Sequence, residues 1–149
     1  MKSTKRYAVT LAIALTVLVG PALSGCSVQN LVQNATGGQV DIGGKSVPKD
    51  FPGDVPLATG DVILGGSVGA GANKVWNVTI SVTGASAFDD IATQLTGAGL
   101  AHEGVVGGST AAGGTGTFQN DKFGVLVVVS KNGDKGWFVN YTVTTKSTK

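Results

Sequence analysis

At 149 residues with 42% apolar content, the chain has room for one packed core and too much apolar material for a disordered protein. Its formal charge of +2 comes from Lys2, Lys5 and Arg6 at the extreme amino end; beyond them eight scattered lysines face nine acidic residues, with no arginine. A near-neutral domain of that kind offers phosphate backbones no basic patch, so nucleic acid is not an expected partner.

Residues 1–25 have the three parts of an export signal: a basic start, an uncharged run from Ala8 to Val19, and the small residues Gly20-Pro21-Ala22-Leu23-Ser24-Gly25 before Cys26. A permanent membrane helix needs about 20 apolar residues, and Gly20-Pro21 interrupts this run early. Leu23-Ser24-Gly25-Cys26, with the sole cysteine of the chain, closely resembles the lipobox of bacterial lipoproteins. The resemblance implies that Leu23, Ser24 and Gly25 are read by the processing machinery and that the Cys26 sulfur takes a diacylglycerol, palmitate included. Cleavage then makes Cys26 the new amino terminus, on the extracytoplasmic face of the cell membrane. Two acyl chains anchor a protein stably where one does so only marginally. The alternative, an ordinary cysteine beside a conventional cleavage site, would leave an unpaired thiol in an oxidising compartment.

Residues 26–46 read as lipid anchor and flexible tether. Gln29, Asn30, Gln33, Asn34, Gly37, Gly38, Gly43 and Gly44 leave only isolated apolar residues, too few to bury much surface; a short helix over residues 28–33 carries little weight. Residues 47–149 form the expected single domain. It opens with Val47-Pro48-Lys49-Asp50-Phe51-Pro52-Gly53-Asp54-Val55-Pro56-Leu57, whose prolines push their predecessors into extended geometry. This is a stiff arm with Phe51, Val55 and Leu57 free to pack, in preference to a Pro-rich ligand for a partner.

Residues 61–68 and 74–82 read as strands joined by a Gly-rich connection. In the second, Trp76, Val78, Ile80 and Val82 share one face and Asn77, Thr79 and Ser81 the other, the pattern of a sheet wet on one side. Ser86 offers an N-cap with Asp89 three residues on. Phe88, Ile91, Ala92 and Leu95 then form one helical stripe that Gly97 and Gly99 end. Residues 101–106 and 115–119 are weaker strand segments around a Gly-rich loop, and residues 123–130 are apolar on both faces, as in a central strand. Asn132-Gly133 signals a tight hairpin into residues 136–145, where Trp137, Val139, Tyr141 and Val143 alternate with Asn140, Thr142 and Thr144. The expected fold class is α+β: a twisted antiparallel sheet of about five strands with one helix packed on one face, in the order β-β-α-β-β-β. From Phe51-Pro52 through Gln94-Leu95 to Trp137 and Tyr141 the layout also resembles small uncharacterised lipoproteins of actinobacteria, a resemblance that implies no activity.

Residues able to do chemistry are few. His102 is the only histidine, and its neighbour Glu103 points to the opposite strand face; a solvent-exposed or hydrogen-bonded histidine is the favoured reading, and no metal site or cofactor is expected. Asp89 and Asp90 diverge by about 100° on a helix and suit its positive end better than acid–base work. The clusters Gly65-Gly66-Ser67-Val68-Gly69-Ala70-Gly71 and Gly113-Gly114-Thr115-Gly116 lack the phosphate-loop pattern and read as turns and strand ends. Asn34-Ala35-Thr36, Asn77-Val78-Thr79 and Asn140-Tyr141-Thr142 match the glycosylation triplet, without weight in a bacterial lipoprotein.

What remains is the wet sheet face. There Asn77, Thr79, Ser81, Asn140, Thr142 and Thr144 would form a neutral hydroxyl-and-amide surface for an envelope protein or glycan, against the plainer reading of a soluble sheet surface with good strand propensity. The leading expectation is a non-catalytic, membrane-anchored interaction module. The rival is a small-ligand carrier with a pocket between helix and sheet.

Overall fold

Strands with one apolar and one polar face pair so that the apolar faces line one side of the sheet, and here they join in a single wide sheet. The computed structural model describes residues 40–104 and 108–146. It contains β1 (Val40–Gly44), β2 (Val62–Val68), β3 (Val75–Val82), the helix α1 (Ala87–Gly97), β4 (Ala101–Glu103), β5 (Gly113–Gln119), β6 (Phe123–Lys131) and β7 (Trp137–Thr145). All pairings are antiparallel, in the order β1-β2-β3-β7-β6-β5-β4. One meander runs β1-β2-β3; α1 then carries the chain to the far edge, and a second meander returns until β7 seals against β3.

This corrects the expected α+β domain of about five strands. Among the described residues, seven strands and one helix of eleven residues make a β-rich fold. Strand β1 lies within the segment read as tether, hidden because Val-Asp-Ile-Gly-Gly has almost no apolar alternation. Gly43 is required there: a Cβ on it would stand 2.0 Å from the Gly65 carbonyl oxygen. The leader, Leu23, Ser24, Gly25, Cys26 and the weak helix at residues 28–33 lie outside the described residues.

Two turn expectations also change. The β6–β7 connection is not a two-residue hairpin, because Lys131 pairs with Trp137. A 3-10 turn at Gly133–Lys135 and Gly136 at φ +97° complete a longer loop. At the start of α1, Ser86 is itself helical and its side chain caps nothing; backbone bonds from Ala87 and Phe88 to Gly84 and Ala85 start the helix instead. The other end follows expectation. Gly99 at φ +86° lets its N–H reach the Thr96 carbonyl while Leu100 N–H reaches Leu95, with both leucines fully buried, a Schellman closure.

One face of the sheet is covered twice. Phe88, Ile91 and Leu95 of α1 are buried against the β4–β6 half. Phe88 lies on bare backbone, where a Cβ at Gly114 or Gly116 would approach its ring to 2.5 or 2.8 Å; these glycines, read as strand ends, belong to β5. The proline-spaced arm covers the β3–β7 half. Val55 is buried, Phe51 meets Trp76 edge-on at 6.5 Å between ring centroids, and the Ala58 N–H donates to the Tyr141 hydroxyl at 2.9 Å. Trp76 Nε1 donates to Asp50 Oδ1 at 3.0 Å, and Lys74 pairs with the same carboxylate.

Both displaced titrations belong to this anchorage. Burial works against the Asp50 carboxylate, but hydrogen bonds from Lys74 and Trp76 together with the lysine charge outweigh it and hold the pKa below the ordinary value. Burial pushes the Tyr141 hydroxyl up to about 12, the bond from Ala58 opposing it only in part.

Candidate binding face

Among the described residues no helix covers the opposite face, and the expected polar residues come together on it. The register places Asn77 opposite Thr142 and Thr79 opposite Asn140. Thus the Asn-X-Thr triplets of β3 and β7 meet head to tail in a nearly two-fold quartet. Asn77 Nδ2 donates to Asn140 Oδ1 at 3.1 Å and to Thr142 Oγ1 at 3.0 Å. Asn140 Nδ2 donates to Asn77 Oδ1 and Thr79 Oγ1, both at 2.9 Å. Every amide hydrogen of the pair is used, which fixes both side chains.

Ser81 and Thr144 share the face but not the quartet. Ser81 Oγ accepts from the Asp61 N–H at 3.2 Å, and the Thr144 hydroxyl turns to the Gly124 carbonyl at 3.4 Å.

The polar stripe has apolar flanks that the sequence reading did not assign to it. Leu126 stands opposite Thr142 and Val128 opposite Asn140 on one side; Leu64 opposite Thr79 and Val68 opposite Val75 stand on the other. Ile63, Leu64, Val68 and Leu126 are 42%, 49%, 52% and 40% exposed, and they are the large exposed apolar residues among those described. All four stand on this face. The signal was present in β6: a run apolar on both sides leaves Leu126 exposed and Val128 half-buried on the outward face. No charged side chain lies in the paired rows between Val75 and Ser81 across β2, β3, β7 and β6.

A second concavity lies on the covered side, between α1 and the sheet edge. It measures about 580 Å³ and is lined by Ala92, Thr93, Thr96 and Gly97 of α1, His102 of β4 and Phe118 of β5. Thr93 and Thr96 donate their hydroxyls to the Asp89 and Ala92 carbonyls, so helix carbonyls already hold both. His102 departs from both favoured readings. Its ring packs edge-on against Phe118 at 4.8 Å, and its Nε2 is buried without a hydrogen-bond partner. That nitrogen lies where a Cβ on Gly116 would come within 3.0 Å, so it abuts β5 rather than a serine or carboxylate. Asp89 and Asp90 do not act as a pair: Asp89 takes the Ser109 N–H at 3.2 Å and its hydroxyl at 2.5 Å. Among the described residues no group of three or more His, Cys, Asp or Glu could hold a metal ion, and no helix is long and apolar enough to cross a membrane.

The chain matches no protein-family model, no curated protein and no solved structure. The geometry of the open face and of the α1 groove is therefore the basis for function.

Proposed function

We propose that this is an extracytoplasmic lipoprotein, held at the membrane through diacylglycerol on Cys26, that works without catalysis by binding another envelope protein through its open sheet face. The observation that carries the binding role is the gathering, on one face whose central paired rows hold no charged side chain, of all four large exposed apolar side chains among the described residues. Exposed apolar patches mark interaction sites, and depletion of charge is what distinguishes the centre of a protein interface from ordinary surface. The quartet supplies a rigid polar centre that costs little entropy to order on binding.

The occupant follows from the tether. Between Cys26 and Val40 the chain can reach at most about 50 Å, so a lipid-held domain meets partners close to the same membrane.

Two measurements test the reading. Cys26→Ala is expected to abolish lipid labelling and membrane partitioning; retention of both would overturn the anchor. Protein extracted from host membranes in mild detergent should run larger than a monomer. A Val68→Asp, Leu126→Asp variant should run as the monomer, with a melting temperature close to the parent's because both positions are exposed. A monomeric parent, a complex made only of copies of this chain, or an undisturbed complex in the variant would contradict the binding role.

The second reading, a small-ligand carrier, is favoured by one observation, the groove of about 580 Å³ between α1 and β4–β5. Its volume falls in the ordinary range for ligand sites. An extract of the native protein carrying one small molecule in equal proportion would favour it.

A further inference from the structure

At the β6–β7 end of the open face the quartet gives way to a recess of about 440 Å³, lined by Ile63, Thr79, Ser130, Lys131, Asn132, Lys135, Phe138 and Asn140. We infer that this recess binds a small anion carrying an apolar arm, an alkyl or aryl carboxylate or phosphate.

The donors are present and unspent. Among the described residues the ion pairs are Lys74 with Asp50 and Lys122 with Asp54, which leaves the Lys131 and Lys135 ammonium groups without a carboxylate. Thr79 Oγ1 accepts from Asn140 Nδ2, an arrangement that occupies a lone pair and leaves the hydroxyl hydrogen to donate. The acids nearest in sequence, Asp134 within the turn and Asp61 beside Ser81, do not line the recess. Two cations and a fixed hydroxyl around a concavity without acids favour an anion, since hydrogen bonds to charged groups are the strong ones.

The remaining wall is apolar. Ile63 is raised by the bulge that shifts the β2–β3 register between Val62 and Leu64, and Phe138 faces outward opposite Ser81 and Ser130. Bare phosphate would leave this wall unused. An anion with an apolar arm covers it, and the volume lies within the usual span for small-molecule sites.

The site does not depend on the partner-binding role, and its test uses different residues. The full chain in detergent, labelled with 15N, is titrated with inorganic phosphate, with hexanoate and with hexyl phosphate. The expected result is saturable shifts at Thr79, Ser130, Lys131, Lys135 and Phe138, with hexyl phosphate tighter than inorganic phosphate. Lys131→Ala with Lys135→Ala should weaken hexyl phosphate about tenfold, and Phe138→Ala should erase its advantage over inorganic phosphate. Both lysines are exposed, so the double variant is expected to fold as the parent does. Moving the full chain from detergent into nanodiscs of phosphatidylglycerol or of phosphatidylcholine separates the sources. Shifts in the anionic nanodisc alone that hexyl phosphate competes away identify a lipid headgroup; shifts confined to the soluble anions identify a free metabolite. Shifts that fail to saturate, or that persist unchanged in the double lysine variant, would overturn the site.

Discussion

Phe88 packs on the bare backbone of β5 at Gly114 and Gly116, and that contact explains both glycines. A Cβ on Gly114 would stand 2.5 Å from Phe88 Cγ and 2.8 Å from Cβ. Gly114→Ala is therefore expected to lower the unfolding free energy by about 1–3 kcal/mol, the cost of forcing an extra methyl group into a filled core. Chemical denaturation checks it, and trimming the ring with Phe88→Leu should make the alanine less costly than it is in the parent. The quartet makes a second prediction at this scale. Asn77→Ala and Asn140→Ala each leave the other amide short of partners, so each should destabilise by about 1 kcal/mol while the double variant costs less than their sum. Additive losses in the cycle would mean that the amides do not hold each other. Residue type and alternation already marked these asparagines and threonines as one surface. Their mutual pairing was not legible, because register between β3 and β7 joins segments more than sixty positions apart.

At the scale of elements, legibility followed periodicity. The helix stripe of Phe88, Ile91 and Leu95 and the alternations of β3 and β7 each repeat often enough to declare themselves. Strand β1 does not, because backbone proximity to β2 demands glycine where a side chain would have shown the pattern; β4 is only three residues long. The longer β6–β7 loop was likewise set by pairing of Lys131 with Trp137 rather than by Asn-Gly itself. The arm is held by groups that titrate, and its pH dependence follows. Tyr141 has a folded pKa raised from 10.0 to about 12, so the folded state holds its proton more tightly. Its contribution is complete below pH 10 and is lost as the pH rises towards 12, by about 2–3 kcal/mol. Tyr141→Phe should flatten that alkaline limb of a stability–pH curve. Asp50 acts at the other end: its folded pKa is lowered, so its contribution is present above the ordinary carboxyl pKa and fades as the pH falls through the lowered one. Asp50→Asn should remove that acid dependence.

For the molecule as a whole, two meanders joined by α1 and sealed by β3 against β7 leave one face covered by helix and arm and the other uncovered by any described element. A sheet of this width with one bare face is stable in water only if that face is polar, and the quartet, Ser81 and Thr144 meet the requirement. Ile63, Leu64, Val68 and Leu126 exceed it, and that excess is the basis for proposing a partner. The most direct measurement is photo-crosslinking in the native host, with a benzophenone amino acid at Leu126 and, for comparison, at Asp90 on the exposed side of α1. One adduct of discrete mass from position 126 and none from position 90 is the predicted result. Equal labelling from the two positions, or no adduct from position 126, would contradict the assignment of the open face as the binding surface.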